Sequence, residues 1–231
     1  MKLPDYWLSR PAFALGGSTI ERLEDIYTRC ISHRSGAWIE DPLPVPKWQF
    51  LCWLTDTKGL LLHGTGDPDI GEFEPRAPYD RSNDDFSKQK AVFAASDGIW
   101  PMFYAIIDRA NYRVSILNAA LRFEFPSGEL SDTRYFFSIT RSVLARRPWR
   151  AGVVYVIDRA GFTMQPRYRL GGWTVHDPHW ANPEPVRPLA KIRVQALDFP
   201  LLDQIRGHDD ETVAERSAKA PESFPWLDDS S

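Results

Sequence analysis

The sequence predicts an α+β domain, in which helices come first along the chain and many short strands follow. Near the N-terminus, four apolar residues recur at helical spacing: Ile20, Leu23, Tyr27 and Cys30. From residue 60 onward, short apolar runs are bounded by glycine, proline and acidic residues, a pattern typical of strands. The chain has 231 residues, of which 43% are hydrophobic, enough to bury a sizeable core.

Two helices are expected in the first 60 residues. Ser18 and Glu21 match a capping box, which predicts a helix over about residues 18–33. Three prolines predict a loop over residues 36–47. A second, short helix is expected to begin at Pro46, because proline suits the first turn of a helix.

Most of the remaining chain is predicted to form strands. One further helix is expected after the second of them, because Ile99, Phe103 and Ile107 lie on overlapping apolar faces. The polar stretch from Asp80 to Lys90 has no hydrophobic period and is predicted as a loop. The predicted strands cover residues 60–63, 91–95, 114–125, 134–139, 153–157 and 186–194.

The pattern divides the chain into three parts. Residues 1–57 are predicted as a helical extension packed on the core, residues 58–206 as the core itself, and residues 207–231 as an acidic, poorly ordered tail. The tail holds seven acidic and two basic side chains, a charge of −5, which leaves +2 on the rest of a chain whose net charge is −3.

Composition excludes several classes of protein. No apolar run approaches the roughly 20 residues of a membrane-spanning helix, and the N-terminus lacks the features of a signal peptide. The two cysteines, Cys30 and Cys52, cannot form a disulfide framework or a cysteine zinc site. We therefore expect a soluble protein of the cytoplasm, with no membrane partner and no metal. The near-neutral charge argues against general electrostatic binding of duplex nucleic acid, although it allows a local basic groove.

A glycine turn follows the first predicted strand, in the sequence Leu62-His63-Gly64-Thr65-Gly66. It lacks the third glycine of a dinucleotide-binding fingerprint, since position 69 is Asp, and it lacks the Lys-Ser or Lys-Thr pair of a P-loop. The imidazole can donate or accept a hydrogen bond, and glycine lets a ligand approach bare backbone. The alternative interpretation is a core histidine that simply precedes a turn.

This turn, followed about 30 residues later by Lys90-Ala-Val-Phe-Ala-Ala-Ser-Asp-Gly-Ile-Trp100, resembles the ADP-ribosyltransferase superfamily. The similarity is closest to the bacterial rifamycin ADP-ribosyltransferases and the poly(ADP-ribose) polymerase branch. It covers roughly residues 58–110 and, more loosely, residues 180–195. It implies a split β-sheet core that binds NAD as a substrate, here with N-terminal helices added.

The resemblance also implies roles for individual residues. His63 would hydrogen-bond the adenosine ribose of NAD, and the backbone of Gly64 would hold the nicotinamide carboxamide, with Thr65 beside it. Phe93 would lie near the nicotinamide, where the family often has a tyrosine. Asn83 is assigned to the same cleft from its position alone, in the loop before Phe93.

Glu184 is the candidate catalytic carboxylate, because it stands just before a late predicted strand, as the family's glutamate does. Breaking the bond between ribose and nicotinamide develops positive charge on the ribose. A carboxylate on the 2′-hydroxyl stabilises that charge more in the transition state than in the ground state. The rival acid is Glu124, which alternates with Phe123 and Phe125 and is expected to face solvent.

The expected activity is transfer of ADP-ribose from NAD to an acceptor, with release of nicotinamide. The acceptor is a protein, a nucleic acid or a small molecule. One alternative is an NAD-dependent RNA 2′-phosphotransferase, for which the basic stretch Arg141–Arg150 would suit RNA. A second is a non-catalytic nucleotide-binding or interaction module of the same fold. His176 and His179 are interpreted as incidental loop histidines, because Pro178 disfavours a helical metal pair.

Overall fold

The computed structural model describes residues 3–40, 42–77 and 85–227. It contains 27% helix and 29% strand, arranged with two β-sheets, so the predicted α+β class is confirmed. None of the helices in these ranges has the length and apolar character needed to cross a membrane. Helices α1 to α6 span Gly17–Ile26, Lys47–Lys58, Asp85–Lys88, Trp100–Ile106, Arg141–Leu144 and Asp210–Lys219.

The first sheet carries the glycine turn. Its strands are, in spatial order, β2 (Ala37–Trp38), β12 (Ala190–Val194), β7 (Gly152–Ile157), β3 (Leu61–Thr65), β4 (Val92–Ala95), β11 (His179–Asn182) and β8 (Thr163–Met164). Neighbours are antiparallel except β2 and β12. Strands β3 and β4 share one register pair, Leu62 with Ala95, whereas β3 and β7 share five. Beyond that pair no ladder pairing joins the described residues of β3 and β4, and we call this unpaired stretch between the two strands the split.

The strands of the second sheet alternate along the chain with those of the first. Its order is β1 (Leu8–Ser9), β6 (Arg134–Thr140), β5 (Ile116–Glu124), β10 (Trp173–His176) and β9 (Tyr168–Leu170), and β13 (Arg206–His208) also pairs with β6. The pairs are antiparallel apart from β13 with β6. The chain passes from the second sheet to the first between β10 and β11, across Asp177 and Pro178.

Helices α2 and α4 lie between the two sheets. They share one buried cluster with inward-facing residues of β7 and β12 from the first sheet and of β5 and β6 from the second. Two smaller clusters cover the outer faces, one around Phe73 and Tyr155 on the first sheet and one around Trp7 and Phe136 on the second. The order of layers is therefore sheet, helices, sheet.

Two glycines of the first sheet allow α4 to approach it at backbone distance. A Cβ on Gly64 would lie 1.7 Å from the carbonyl oxygen of Pro101, and one on Gly152 would lie 1.9 Å from that of Ala105. Both distances are far shorter than van der Waals contact, so any larger residue would push the helix away from the sheet.

Residues 1–57, predicted as an extension, also contribute a strand and a buried helix to the core. The predicted helix over residues 18–33 is present as α1, which continues into a π-helical turn at Tyr27–Ile31. Its N-cap residue is Gly16 and no side chain caps it, so the predicted capping box of Ser18 and Glu21 does not form. Within the predicted loop 36–47, two residues form the short strand β2, which pairs with β12 because that edge of the sheet offers unpaired backbone groups, and the other described residues up to Pro46 are irregular as predicted. The buried face of α2 belongs to the central cluster.

The C-terminal segment differs from the prediction of a poorly ordered tail. It contains part of β13 and the whole of α6, whose N-terminus is capped by Asp209 accepting from the backbone N–H of Thr212 at 2.8 Å. Acidic residues lie in the first turn of α6 and basic residues in the last, which suits the helix dipole. Trp226 is buried against the second sheet, and this apolar contact offsets the cost of ordering the segment.

We expect Gly152→Ala to lower the free energy of unfolding by about 1–3 kcal/mol, because its methyl group would overlap the backbone of α4. Gly71→Ala is the matched control, since a Cβ there meets nothing within 4 Å. Urea unfolding of both variants measures the difference. Equal stability of the two variants would contradict the close approach of α4 to the sheet.

Candidate functional site

His63 lies in the split with one ring nitrogen occupied and the other without a hydrogen-bond partner. Its Nδ1 is 2.7 Å from the carbonyl oxygen of Phe93, and since a carbonyl only accepts, Nδ1 carries the proton. Within the described ranges, Nε2 makes no hydrogen bond. Burial lowers the pKa of His63, partly opposed by the bond to Phe93. The imidazole is therefore neutral near pH 7, with an acceptor lone pair on Nε2.

The two residues after His63 are constrained by their neighbours. The Cβ direction of Gly64 is filled by Pro101, so a ligand can reach its backbone only along the edge of the strand, from within the split. The hydroxyl of Thr65 accepts from the backbone N–H of Asp67 at 3.2 Å and holds the turn that follows. The edge of β3 from His63 to Thr65 has no ladder partner on the β4 side.

Phe93 points to the opposite face of the sheet from His63. Leu62 and Ala95 pair and both belong to the central cluster, so by alternation Phe93 faces the helices. His63 instead contacts Phe73 on the outer face, with 4.7 Å between ring centroids. The structure brings His63 to the backbone of Phe93 and separates it from the Phe93 ring.

The ring of Phe93 belongs to an aromatic cluster that the sequence did not reveal. It stacks on His179 of β11, with ring centroids 4.9 Å apart and planes inclined by 26°. The edges of Phe86 and Trp100 meet the same imidazole, at 5.5 and 5.6 Å. His176 ends β10 and His179 begins β11, so the prediction that both are loop histidines is wrong, and only the strand pairing reveals this.

Asn118 ties this cluster to the second sheet. Its side-chain oxygen accepts from the indole N–H of Trp100 and, at 2.9 Å, from the hydroxyl of Tyr104. Two aromatic donors on α4 therefore converge on one amide of β5. This contact fixes the position of α4, which packs against Gly64 of the split, relative to the second sheet.

Glu184 is exposed and lies directly after β11 rather than at the start of β12. Its backbone N–H donates to the side chain of Asn182 at 3.0 Å, and its carboxylate makes no hydrogen bond or ion pair within the described residues. The chain two residues later pairs with Phe73 through Val186, and Phe73 contacts His63. Glu184 is therefore linked to the split through these neighbours without touching His63.

Glu124 and Asn83 are the remaining residues predicted from the sequence to lie in or near the site. Glu124 lies on β5 and accepts from His176 at 3.0 Å, and this hydrogen bond, with help from Arg167, lowers the pKa of its carboxyl group. Its side chain is committed to an ion pair on the second sheet. Asn83 lies outside the described residues. In the described ranges, no group of three or more His, Cys, Asp or Glu side chains is placed to hold a metal ion.

A buried carboxylate anchors the start of α4 below the split. Asp97 is 3% exposed and accepts from the backbone N–H groups of Ile99 and Trp100, at 2.9 and 2.7 Å. Its second oxygen accepts from the hydroxyl of Tyr135 on β6 at 2.6 Å. Burial raises the pKa of Asp97, and these hydrogen bonds lower it in part. One side chain thus joins α4 to the second sheet.

The pH dependence of stability tests this buried network through Cys52. Burial, reinforced by the charge of Asp97, raises the pKa of the Cys52 thiol from 9.0 to about 12. Between pH 9 and 10 the unfolded chain ionises this thiol while the folded chain keeps it protonated. Stability is therefore lost as pH rises, by about 1 kcal/mol over that unit.

Urea unfolding at pH 9 and pH 10 in reducing buffer measures this loss. We expect Cys52→Ala to reduce the loss by about 1 kcal/mol relative to wild type. An unchanged pH dependence in Cys52→Ala would mean that the thiol is not shielded from water in the folded protein.

Comparison with known proteins identifies no relative of this chain. No protein-family model, no curated protein and no solved structure matches the chain. The site must therefore be interpreted from its own residues.

Proposed function

We propose that this protein has an ADP-ribosyltransferase-like fold, binds NAD in the split between β3 and β4, and transfers ADP-ribose to an acceptor in the cytoplasm. The observation that carries the proposal is that β3 has no ladder partner on the β4 side along His63-Gly64-Thr65. A strand edge and the Nε2 lone pair of His63 are therefore without partners in the described structure. Such groups suit a ligand that offers hydroxyl and carboxamide hydrogen bonds.

Each group has a distinct part in binding. The neutral imidazole of His63 accepts a hydrogen bond from a ribose hydroxyl, and its fixed Nδ1–H bond holds the ring in orientation. The backbone edge of Gly64 offers N–H and C=O groups to the nicotinamide carboxamide. Because Pro101 blocks the face of Gly64, the carboxamide has to approach in the plane of the sheet.

The reaction breaks the bond between ribose C1′ and the nicotinamide nitrogen. Neutral nicotinamide leaves with the bonding electron pair, the acceptor's nucleophilic atom forms a new bond to C1′, and the acceptor loses a proton. Glu184 is the carboxylate proposed to stabilise the positive charge that develops on the ribose. Its exposure and freedom from other partners support this role, because a carboxylate committed to an ion pair, as Glu124 is, could not serve.

A non-catalytic nucleotide-binding module is the second candidate. It is favoured by the orientation of Phe93, whose ring stacks on His179 and faces away from His63. It is also favoured by the lack of any contact between Glu184 and His63 in the described structure. This alternative keeps NAD binding and removes turnover.

Calorimetric titration with NAD tests the binding site. We expect His63→Asn to weaken binding about tenfold, because the asparagine amide keeps a donor for the Phe93 carbonyl while the Nε2 acceptor is lost. The matched control is His33→Ala, an exposed histidine on another part of the chain, which should bind as wild type does. Failure of the wild-type protein to bind NAD would refute the proposal.

Nicotinamide release tests the catalytic role of Glu184. We expect Glu184→Gln to reduce the rate of release at least about 100-fold, with NAD affinity changed less than about twofold because the amide keeps the shape of the side chain. Glu74→Gln, another exposed glutamate, is the control. If NAD binds but wild type releases no nicotinamide, the non-catalytic module is correct. If release persists in Glu184→Gln, another residue is the catalytic acid.

A further inference from the structure

Five arginines lie on two adjacent turns beside the end of β3. The turns are residues 106–113 and 145–150, and together they contain five arginines, no lysine and one acid, Asp108. We call the following five residues the arginine surface: Arg109, Arg113, Arg146, Arg147 and Arg150. All are exposed except Arg150, which is half-buried. This local charge of +4 contrasts with the −3 of the whole chain.

The arginine surface carries charge that no carboxylate neutralises through an ion pair. Across the described ranges none of its members has an acidic partner within salt-bridge distance. Asp108, the one acid in these turns, is hydrogen-bonded to Asn111, and this bond, with a smaller contribution from the charge of Arg150, lowers the pKa of its carboxyl group. Five arginines elsewhere in the structure do pair with acids: Arg10, Arg29, Arg34, Arg167 and Arg187.

Backbone contacts hold the two turns together as one platform. The backbone N–H of Asp108 donates to Pro148 at 2.9 Å, and that of Arg150 donates to Ile106 at 2.8 Å. Ile107 and Trp149 form a β-bridge between these two contacts. The cations are therefore arranged by the fold rather than scattered over a flexible loop.

Aromatic rings lie among the arginines. The guanidinium of Arg146 stacks over the ring of Tyr112, with 5.0 Å from Cζ to the ring centroid, and so links the two turns a further time. Trp149 lies in the same platform, partly buried against the central cluster. Arginine forks pair with phosphate oxygens in a bidentate way, and guanidinium planes stack on bases, whereas lysine does neither.

From this combination we infer that the arginine surface binds the phosphate backbone of a single-stranded nucleic acid. Interleaved cations and aromatic rings are the features that track a single strand and stack its bases. A duplex is disfavoured because the platform consists of two short turns and presents no long helix or ribbon to a groove. This binding requires neither NAD nor turnover.

Arg150 connects the surface to the split. Its guanidinium donates to the carbonyl oxygen of Gly66 at 2.6 Å and to that of Ala151 at 3.1 Å. A Cβ on Gly66 would lie 2.7 Å from this guanidinium, so the last glycine of the His63–Gly66 turn makes room for it. A nucleic acid bound at Arg150 would lie about 10 Å from His63, because Gly66, which Arg150 contacts, is three residues further along an extended chain.

Fluorescence anisotropy with a labelled single-stranded RNA of about 12 nucleotides, without NAD and over a series of salt concentrations, tests the inference. We expect the affinity of wild type to fall with salt, and the double variant Arg146→Gln/Arg147→Gln to reduce the slope of log affinity against log salt by about 1.4. The matched control is Arg29→Gln/Arg187→Gln, which removes the same charge from ion-paired positions and should keep the wild-type slope. Urea unfolding verifies that both double variants are folded.

Three results would overturn the inference: no RNA binding by wild type at 50 mM salt, an equal loss of slope in the control variant, or tighter binding of the corresponding RNA duplex. Binding of a polyglutamate peptide as tightly as the RNA, with the same sensitivity to the arginine variants, would identify an acidic protein partner instead. Because no NAD is present, a failure here leaves the proposed NAD site untouched, and the NAD titration is likewise independent of the arginine variants.

Discussion

The close approach of α4 to the first sheet is the constraint on which the other layers depend. Gly64 and Gly152 leave no side chain between the sheet and the helix, so the backbone carbonyls of Pro101 and Ala105 lie directly against the strands. Asp97 then fixes the start of the helix to Tyr135, and Asn118 of β5 accepts hydrogen bonds from Trp100 and Tyr104 of the helix. With α4 held at three points, the central cluster can close around it between the two sheets.

The same constraint shapes the split. A glycine at position 64 is required by the helix behind it, which explains the residue without any ligand. Its effect on a ligand is indirect, since blocking the face of the strand leaves only the edge open. His63 uses one nitrogen to hold the Phe93 carbonyl, which has no strand partner on β3, and keeps the other available. The packing of α4 and the NAD binding that we propose therefore involve the same segment of β3, His63 and Gly64.

Charge is distributed unevenly over this fold. The acidic C-terminal segment folds against the second sheet as α6, where its first-turn acids and last-turn bases suit the helix dipole. The arginine surface lies instead beside the end of β3, next to the split. A net charge near zero therefore conceals a local field that can attract a polyanion over about a Debye length, near 8–10 Å at physiological salt.

The sequence by itself determined the α+β class, the helix over residues 18–33 and the run of short strands, because these follow from local hydrophobic periodicity. Tertiary structure decided what local patterns cannot encode. Strand pairing placed the ring of Phe93 beside His179 rather than His63 and made Ala37–Trp38 into the edge strand β2. The contact of Trp226 with the second sheet ordered a segment whose composition alone predicts disorder. Each of these outcomes depends on residues distant in sequence, which no single window of the chain contains.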